Sequence, residues 1–397
     1  MDTTFETTFT PATSLEVIAS LRSALSVVMR VESHTIHEPP VDLLEFTGQL
    51  LRPSDEAFNH IYKSFIAYGY TPMLTERDGK EIVVAKQGIV APTKSDIRIN
   101  VILFVVTIAS AVLAGVLLFA DTSLLGRQLL GPIDDPIQGL LVILRTPALW
   151  IIGVPYALTL LTILGVHEMG HYVMARRHKA ETTLPYFIPM PIGLGTMGAV
   201  IRLKSPIKNR KQLFDIGVAG PLAGLAVAIP LLIIGLSISP VTRASRFSPD
   251  PFHVGNSILY ALLKFATKGE WLPSGHYDVA LNAIAFPAWF GLIVTMINLL
   301  PIGQLDGGHV IFSMFGRWQW KIAVIAEIVL LVMGVYLAFT TGQLLNVWIV
   351  WAILVQVFGL RHPPPLDDLT PLDRKRRLIG WMTIAIFFLI LTPLPFS

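Results

Sequence analysis

The strongest constraint on this chain is a recurrence of apolar runs that approach the length of a bilayer crossing. A helix needs roughly 20 consecutive apolar residues to traverse the hydrocarbon core. Runs of that kind are read at about 99–120, 148–175, 213–239, 280–300, 321–340, 344–361 and 378–396. Composition agrees, with 53% hydrophobic and only 14% charged residues, where soluble domains carry roughly a quarter charged. The expected fold class is a polytopic α-helical membrane protein of about seven transmembrane helices, with a small N-terminal soluble α/β domain.

That domain is expected over residues 1–96, ahead of a membrane portion at 97–397 whose core runs from about 147 to 310. Leu15 to Val31 has helical apolar spacing, and Val41 to Leu51 reads as a strand. Pro53-Ser54-Asp55-Glu56 is a helix start signal with Ser54 as the N-cap, opening a helix to about Tyr68. Strands at Met73 to Glu76 and Glu81 to Lys86 flank Arg77-Asp78-Gly79-Lys80, a hairpin signature built on Asp-Gly. Pro136 to Leu144 is apolar but too short to span.

The chain has no cysteine, which excludes disulfides, iron–sulfur clusters and thiol nucleophiles and leaves His and carboxylate as the metal ligands. No basic stripe interleaved with aromatics points to nucleic acid. Met1 to Thr13 is polar and carries Asp2 and Glu6, unlike a cleavable signal or an organelle transit peptide. Lys and Arg concentrate in the loop after the second run and in the loop before the seventh, which puts both loops and the N-terminus inside. A multi-pass protein of a bacterial plasma membrane is expected, with a plastid membrane as the alternative.

One constellation carries chemistry. Leu161 to Val166 leads without a break into His167-Glu168-Met169-Gly170-His171. On a helix, positions i and i+4 share a face, so both imidazoles can address one ion, and Glu168 can take a proton from a water there. Ionisable groups inside an apolar helix are costly and by default functional, and three sit within five positions. A catalytic zinc site needs a third protein ligand. The candidate is Asp306, in Asn298-Leu299-Leu300-Pro301-Ile302-Gly303-Gln304-Leu305-Asp306-Gly307-Gly308-His309. Gly307 and Gly308 permit an abrupt turn after it. An Asp ending a helix at the interface is the commoner case, but the seven-span topology puts this stretch on the same inner side as His167.

At this point the chain resembles the site-2 protease family of intramembrane zinc metalloproteases, in the subgroup without PDZ or CBS domains. His-Glu-x-x-His at 167–171 and Asn-x-x-Pro-x-x-x-Leu-Asp-Gly at 298–307 are both complete, and the likeness covers about Pro147 to His309. The resemblance implies one catalytic Zn2+ held by His167, His171 and Asp306, Glu168 as general base, and Asn298 beside the reacting carbonyl. Gly217 to Gly224 looks like the family's glycine-rich core helix. Many members have Asn where this chain has Gly224, and close helix packing is the reading given to these glycines. The resemblance further implies a single-span transmembrane protein as substrate, cut in the lipid bilayer within or next to its membrane segment.

Thr196-Met197-Gly198-Ala199-Val200-Ile201, continuing to Leu203, reads as extended chain after the proline-rich 185–191. It is either an ordinary interfacial hairpin or an edge strand that holds an unwound substrate by backbone hydrogen bonds. His309 reads as interfacial rather than as support for the metal site, and Asp215 as a solvated interfacial acid. His34, His37, His60, His178, His253, His276 and His362 show no ligand spacing, and Glu327 and Asn282 receive no role. Rival classes are a non-catalytic binder of membrane helices, against which Glu168 stands, and a transporter, for which a two-half repeat is missing. A zincin with Glu327 as its third ligand would lack supporting context.

Overall fold

The computed structural model describes residues 15–37, 43–89, 95–130, 136–191, 193–243 and 254–394. The chain begins with α1 (Leu15–Ser26), β1 (Met29–His37), β2 (Leu43–Leu50), α2 (Ser54–Ala67), β3 (Tyr70–Arg77) and β4 (Lys80–Gln87). The strands form an antiparallel sheet in the order β1-β2-β4-β3. Asp78 and Gly79 both take positive φ, 53° and 74°, as a two-residue hairpin loop demands. Leu21 and Leu25 of α1 and Ile61 and Phe65 of α2 pack with Phe46 and Val83 of the sheet into a core of their own.

Two local expectations give way here. The helix read from Leu15 to Val31 stops at Ser26, and the chain turns into β1. That strand lies at the sheet edge with residues 32–36 exposed, so it lacks the apolar alternation that would reveal it. Ser54 is not the N-cap of α2. Pro53 holds that position, its carbonyl accepting from Ala57 N, while Ser54 Oγ lies 3.0 Å from Thr370 Oγ1.

The remainder is built on helices: α3 (Ile97–Phe119), α4 (Leu124–Leu130), α5 (Pro136–Arg145) and α6 (Pro147–Arg177), then the hairpin of β5 (Tyr186–Pro189) and β6 (Thr196–Val200). After it come α7 (Arg210–Ile238), β7 (Val241–Arg243), α8 (Ile258–Lys268), β8 (Tyr277–Val279), α9 (Ala285–Asn298) and α10 (Asp306–Phe315). A single 3-10 turn joins α10 to α11 (Gln319–Thr341), and α12 (Val347–Phe358) and α13 (Arg374–Ile390) follow. Four stretches among the described residues are long and apolar enough to cross a bilayer: α3, α6, α7 and the nearly continuous Asp306–Thr341. The chain is an integral membrane protein.

Seven full-length spans were expected. At 1.5 Å per residue, α9, α12 and α13, of 14, 12 and 17 residues, extend only about 21, 18 and 26 Å, short of a hydrocarbon core of about 30 Å. α9 opens only at Ala285, where Asn282 Oδ1 accepts from Ile284 N and Ala285 N, and closes at Asn298 ahead of Pro301, while Gly359 closes α12 at a φ of 85°.

Backbones approach closely where the spans meet. A Cβ at Gly153 of α6 would fall 2.0 Å from Val112 O of α3, and one at Gly170 would fall 2.6 Å from Ala219 O of α7. Small residues at such crossings substitute dispersion for the hydrophobic effect, which lipid cannot supply. Trp289 of α9, Tyr156 of α6, Leu232 of α7 and Trp348 of α12 fill the shared core.

The N-terminal unit is stitched to this bundle through residues 362–372. Leu74 N donates to Leu366 O, and Asp368 N donates to Leu74 O, so this segment covers the open edge of β3. On its other side Leu366 N and Asp367 N donate to Ile207 O and Lys208 O, just before α7. Leu366 also enters the core of the N-terminal unit. Ion pairs of Arg210 with Asp368 and of Lys211 with Asp55 flank the seam, at 3.0 and 3.2 Å.

Candidate metal centre

His167 and His171 lie one turn apart in the second half of α6, both buried. Their Nε2 atoms stand 3.2 Å from each other, and each stands 3.3 Å from Asp306 Oδ2. Four-coordinate zinc with bonds of about 2.0–2.1 Å sets its ligand atoms about 3.3–3.4 Å apart, so this donor set fits such an ion. Among the described residues it is the one His/Cys/Asp/Glu cluster with its ligand atoms converging in this way. The orientation of His171 is fixed from behind. Its Nδ1 lies 2.7 Å from Ile216 O, a contact that places the proton on Nδ1 and turns Nε2 toward the ion.

α7 reaches this point because of its glycines. A Cβ on Gly220 would lie 2.0 Å from His171 Nε2, and one on Gly224 would lie 3.2 Å from His167 Nδ1. The packing role read from the sequence is thus what Gly220 performs, and the surface it packs against is the imidazole pair.

Asp306 arrives from the other side. α9 ends at Asn298, and residues 299–305 fold into tight turns around Pro301 before α10 opens on Asp306 itself. An acid in the first turn is favoured by the helix dipole. Gly307 and Gly308 do not make the turn expected of them. They sit in the first turn of α10, where Cβ atoms would fall 2.0 Å from Leu299 O and 2.2 Å from Gly303 O. The reversal comes earlier, with Gly303 at a φ of 51°.

Glu168 is buried next to the cluster, with the backbone of Ile201 beside its carboxylate. Asn298 Nδ2 lies 3.4 Å from His167 Nε2. Thr196 to Val200 form β6, and Ile201 is the residue after it. Among the described residues β6 pairs with β5 alone, in a two-stranded sheet, and Met197 and Val200 are exposed. The hairpin is held by polar groups of the first span and α6: Asn100 Nδ2 donates to Leu184 O, Ser110 Oγ to Gly195 O, and Tyr156 Oη to Leu194 O. The sequence reading passed over Asn100 and Ser110, although polar residues inside so apolar a run were the available signal.

Two further positions differ from expectation. His309 is not an interfacial bystander; its Nδ1 lies 2.6 Å from Nε2 of His362, and the His362 ring stacks on Phe312. Asp215 is no solvated acid, since both its oxygens accept from Arg376 of α13, at 2.8 and 2.6 Å, and His178 Nε2 lies 2.8 Å from Oδ2. Glu327 and Asn282 have structural partners, Gln356 and the first turn of α9.

Comparison with known proteins agrees with this geometry. Residues 155–341 match Peptidase family M50, a stretch that contains both histidines, Glu168, Asn298 and Asp306. Residues 155–341 are therefore similar to peptidase family M50, the site-2 protease family. It is 33% identical over 253 residues to the probable zinc metalloprotease EGY2, chloroplastic, of Arabidopsis thaliana, covering 62% of this chain and 42% of that one. Probable zinc metalloprotease EGY1, chloroplastic, of the same plant is 32% identical over 249 residues, covering 61% and 43%. EGY3 of Oryza sativa subsp. indica, also described as a probable zinc metalloprotease and chloroplastic, is 26% identical over 369 residues, covering 88% and 59%. The chain thus spans less than two thirds of each of these relatives. No solved structure matches it. The bacterial plasma membrane expected from the sequence gains no support from relatives described as chloroplastic.

Proposed function

We propose that this chain is a zinc metalloprotease that hydrolyses peptide bonds within or next to transmembrane segments of single-span membrane proteins. The observation that carries the proposal is the convergence of His167 Nε2, His171 Nε2 and Asp306 Oδ2 within 3.3 Å of one another, beside a buried Glu168. The similarity to EGY1 and EGY2, each described as a probable zinc metalloprotease, supports the choice of metal and reaction.

In this reading His167, His171 and Asp306 hold the zinc, which when bound supplies Lewis acidity to polarise the scissile carbonyl and make water nucleophilic near neutral pH. Glu168 takes the proton from the attacking water and delivers it to the departing amide nitrogen. The Asn298 amide donates to the developing oxyanion, a donor role that removes charge build-up from the barrier. Thr196 to Ile201 receive the substrate as an added strand, because a helical peptide bond is shielded until its turn is unwound.

The wider arrangement proposed with this reaction has an N-terminal domain at 1–96 and a membrane protease domain at 97–397, with α9, α12 and α13, each lengthened by the non-helical chain at its ends, completing seven crossings alongside the four long helices. Lys and Arg placement puts the N-terminal domain and the metal centre toward the inner face.

The test is to purify the protein, measure its zinc stoichiometry and follow cleavage of a single-span test substrate in liposomes. Glu168→Gln should retain zinc and lose cleavage by at least about a hundredfold, the usual scale of a lost general base. Equal cleavage by that variant would overturn the mechanism.

A further inference from the structure

Between α7 and α9 lies a helix whose outward face is apolar, while Leu259 and Leu263 pack inward against the core. On α8, Tyr260 and Lys264 face the protein, and Lys264 is fully buried, its Nζ donating to Asp278 Oδ1 at 2.9 Å and standing 4.8 Å from the Tyr260 ring centroid. The outward face carries Ile258, Leu262 and Phe265 at the i, i+4, i+7 spacing of one helical stripe, 57%, 47% and 40% exposed. Exposed Trp271 stacks on Phe265 with ring centroids 4.6 Å apart. A helix facing water places charge, not an apolar stripe, outward.

The placement of α8 says what lies against that face. Asp215 of α7 and Arg376 of α13 are paired near the starts of their helices, and from that pair both helices lead toward α8, away from the metal centre. At one end of α8 the chain touches the end of α13, for a Cβ on Gly255 would fall 1.7 Å from Leu394 O. At the other end Lys268 Nζ donates to Ser237 O and Ser239 O, in the last turn of α7, at 3.3 and 2.6 Å. The helix is about 16 Å long at 1.5 Å per residue, and it joins the ends of two parallel helices. Its axis therefore runs across them, in the plane of the bilayer. Near its C-terminal end α7 exposes Ile234 and Ile238, and near its own α13 exposes Phe388 and Leu389, so both helices that α8 bridges turn apolar side chains outward.

We infer that α8 and Trp271 form an interfacial anchor, lying in the leaflet on the side away from the metal centre with Ile258, Leu262 and Phe265 among the acyl chains. The occupant of this face is lipid. Its stripe is continuous with the apolar belt of the spans, and the one charged side chain in the middle of the helix is turned inward. Trp at this boundary meets the headgroup region with its indole N–H and the acyl region with its ring.

The absence of cysteine from the chain makes the inference directly testable on the full-length protein. Single cysteines are introduced by Leu262→Cys and Phe265→Cys and labelled with a nitroxide. The protein is reconstituted into phosphatidylcholine–phosphatidylglycerol vesicles, and collision with oxygen is compared with collision with a water-soluble nickel chelate. Ile325→Cys, on the exposed face of α11, and Lys63→Cys, on the exposed face of α2, serve as lipid and water references. Both α8 labels should follow Ile325→Cys, with an oxygen-to-nickel ratio severalfold above that of Lys63→Cys. A ratio matching Lys63→Cys would overturn the inference by placing the face in water. Low access to both reagents would overturn it too, by placing the face under protein, whether a second copy or residues 244–253. Trp271→Cys reads the same surface should one of the helix variants fail to fold.

Discussion

Gly220 of α7 lies directly against the imidazole of His171: a Cβ at that position would fall 2.0 Å from Nε2, the atom turned toward the metal cluster. A single methyl group on one helix therefore competes with a ligand on its neighbour. Gly220→Ala should push the imidazole away from Asp306, or α7 away from α6. Zinc affinity should fall by at least the 10–100-fold typical of losing an outer-shell partner, measured by competition with a chromogenic chelator. Gly224→Ala, whose Cβ would sit 3.2 Å from His167, should cost less. Equal affinities for Gly220→Ala and the wild type would refute the close approach.

The loop that presents Asp306 rests on Gln319. Its amide donates to Pro301 O and Leu360 O and its oxygen accepts from His362 N, joining the loop after α9 to the chain after α12. Gln319→Leu leaves those buried backbone groups without partners, at about 1–3 kcal/mol each before relaxation. The variant should unfold at lower temperature and bind zinc more weakly, whereas Gln319→Glu, which keeps the acceptor, should retain part of both. A stability loss with unaltered zinc affinity would separate the loop from the metal centre.

Asp367 gives the seam with the N-terminal unit a pH dependence. Burial pushes its carboxyl up from the ordinary range, against the opposing bonds from Thr370 Oγ1, Leu369 N and Thr370 N. With the native pKa above an unfolded value of about 3.9, folding takes up a proton. The stabilising contribution is complete below about pH 4 and is lost as pH rises through the native value. Thermal unfolding from pH 4 to 7 should show the wild type losing stability relative to Asp367→Asn as pH rises. The opposite trend would mean that the hydrogen bonds outweigh burial.

Arg376 anchors α13 to α7 by gripping both oxygens of Asp215. The pair is partly buried, so Arg376→Ala should destabilise by about 1–3 kcal/mol, between the exposed and buried extremes. Lysine cannot reproduce the two-pronged contact, and Arg376→Lys should recover less than half of the loss. Denaturation of the detergent-solubilised protein measures both.

The sequence made the candidate metal cluster legible because its chemistry lies in two short runs: a histidine pair at helical spacing, and an aspartate inside Asn-x-x-Pro-x-x-x-Leu-Asp-Gly. It made the Asp78-Gly79 hairpin legible for the same reason. What it concealed depends on distant contacts. His362 showed no ligand spacing because its partner, His309, lies fifty-three residues earlier. Edge strand β1 has too few buried side chains to mark itself by alternation. The turn credited to Gly307 and Gly308 belongs to Gly303, since a glycine pair signals close approach and reversal alike, and only the fold tells them apart. The short α9 and α12 escaped because hydropathy measures how apolar a run is, whereas Asn282 and Gly359 decide where its helix opens or closes.

The segment that covers β3 has a consequence for biosynthesis. Leu74 emerges from the ribosome long before Leu366 and Asp368, the residues that satisfy its backbone groups. Until then the nascent N-terminal sheet presents an open edge, the kind of surface that recruits other strands. Every membrane helix except α13 must be synthesised before that edge can close. Completion of the soluble unit is thereby tied to nearly complete synthesis of the bundle, and a chain stalled before residue 366 would carry an adhesive strand rather than a finished domain.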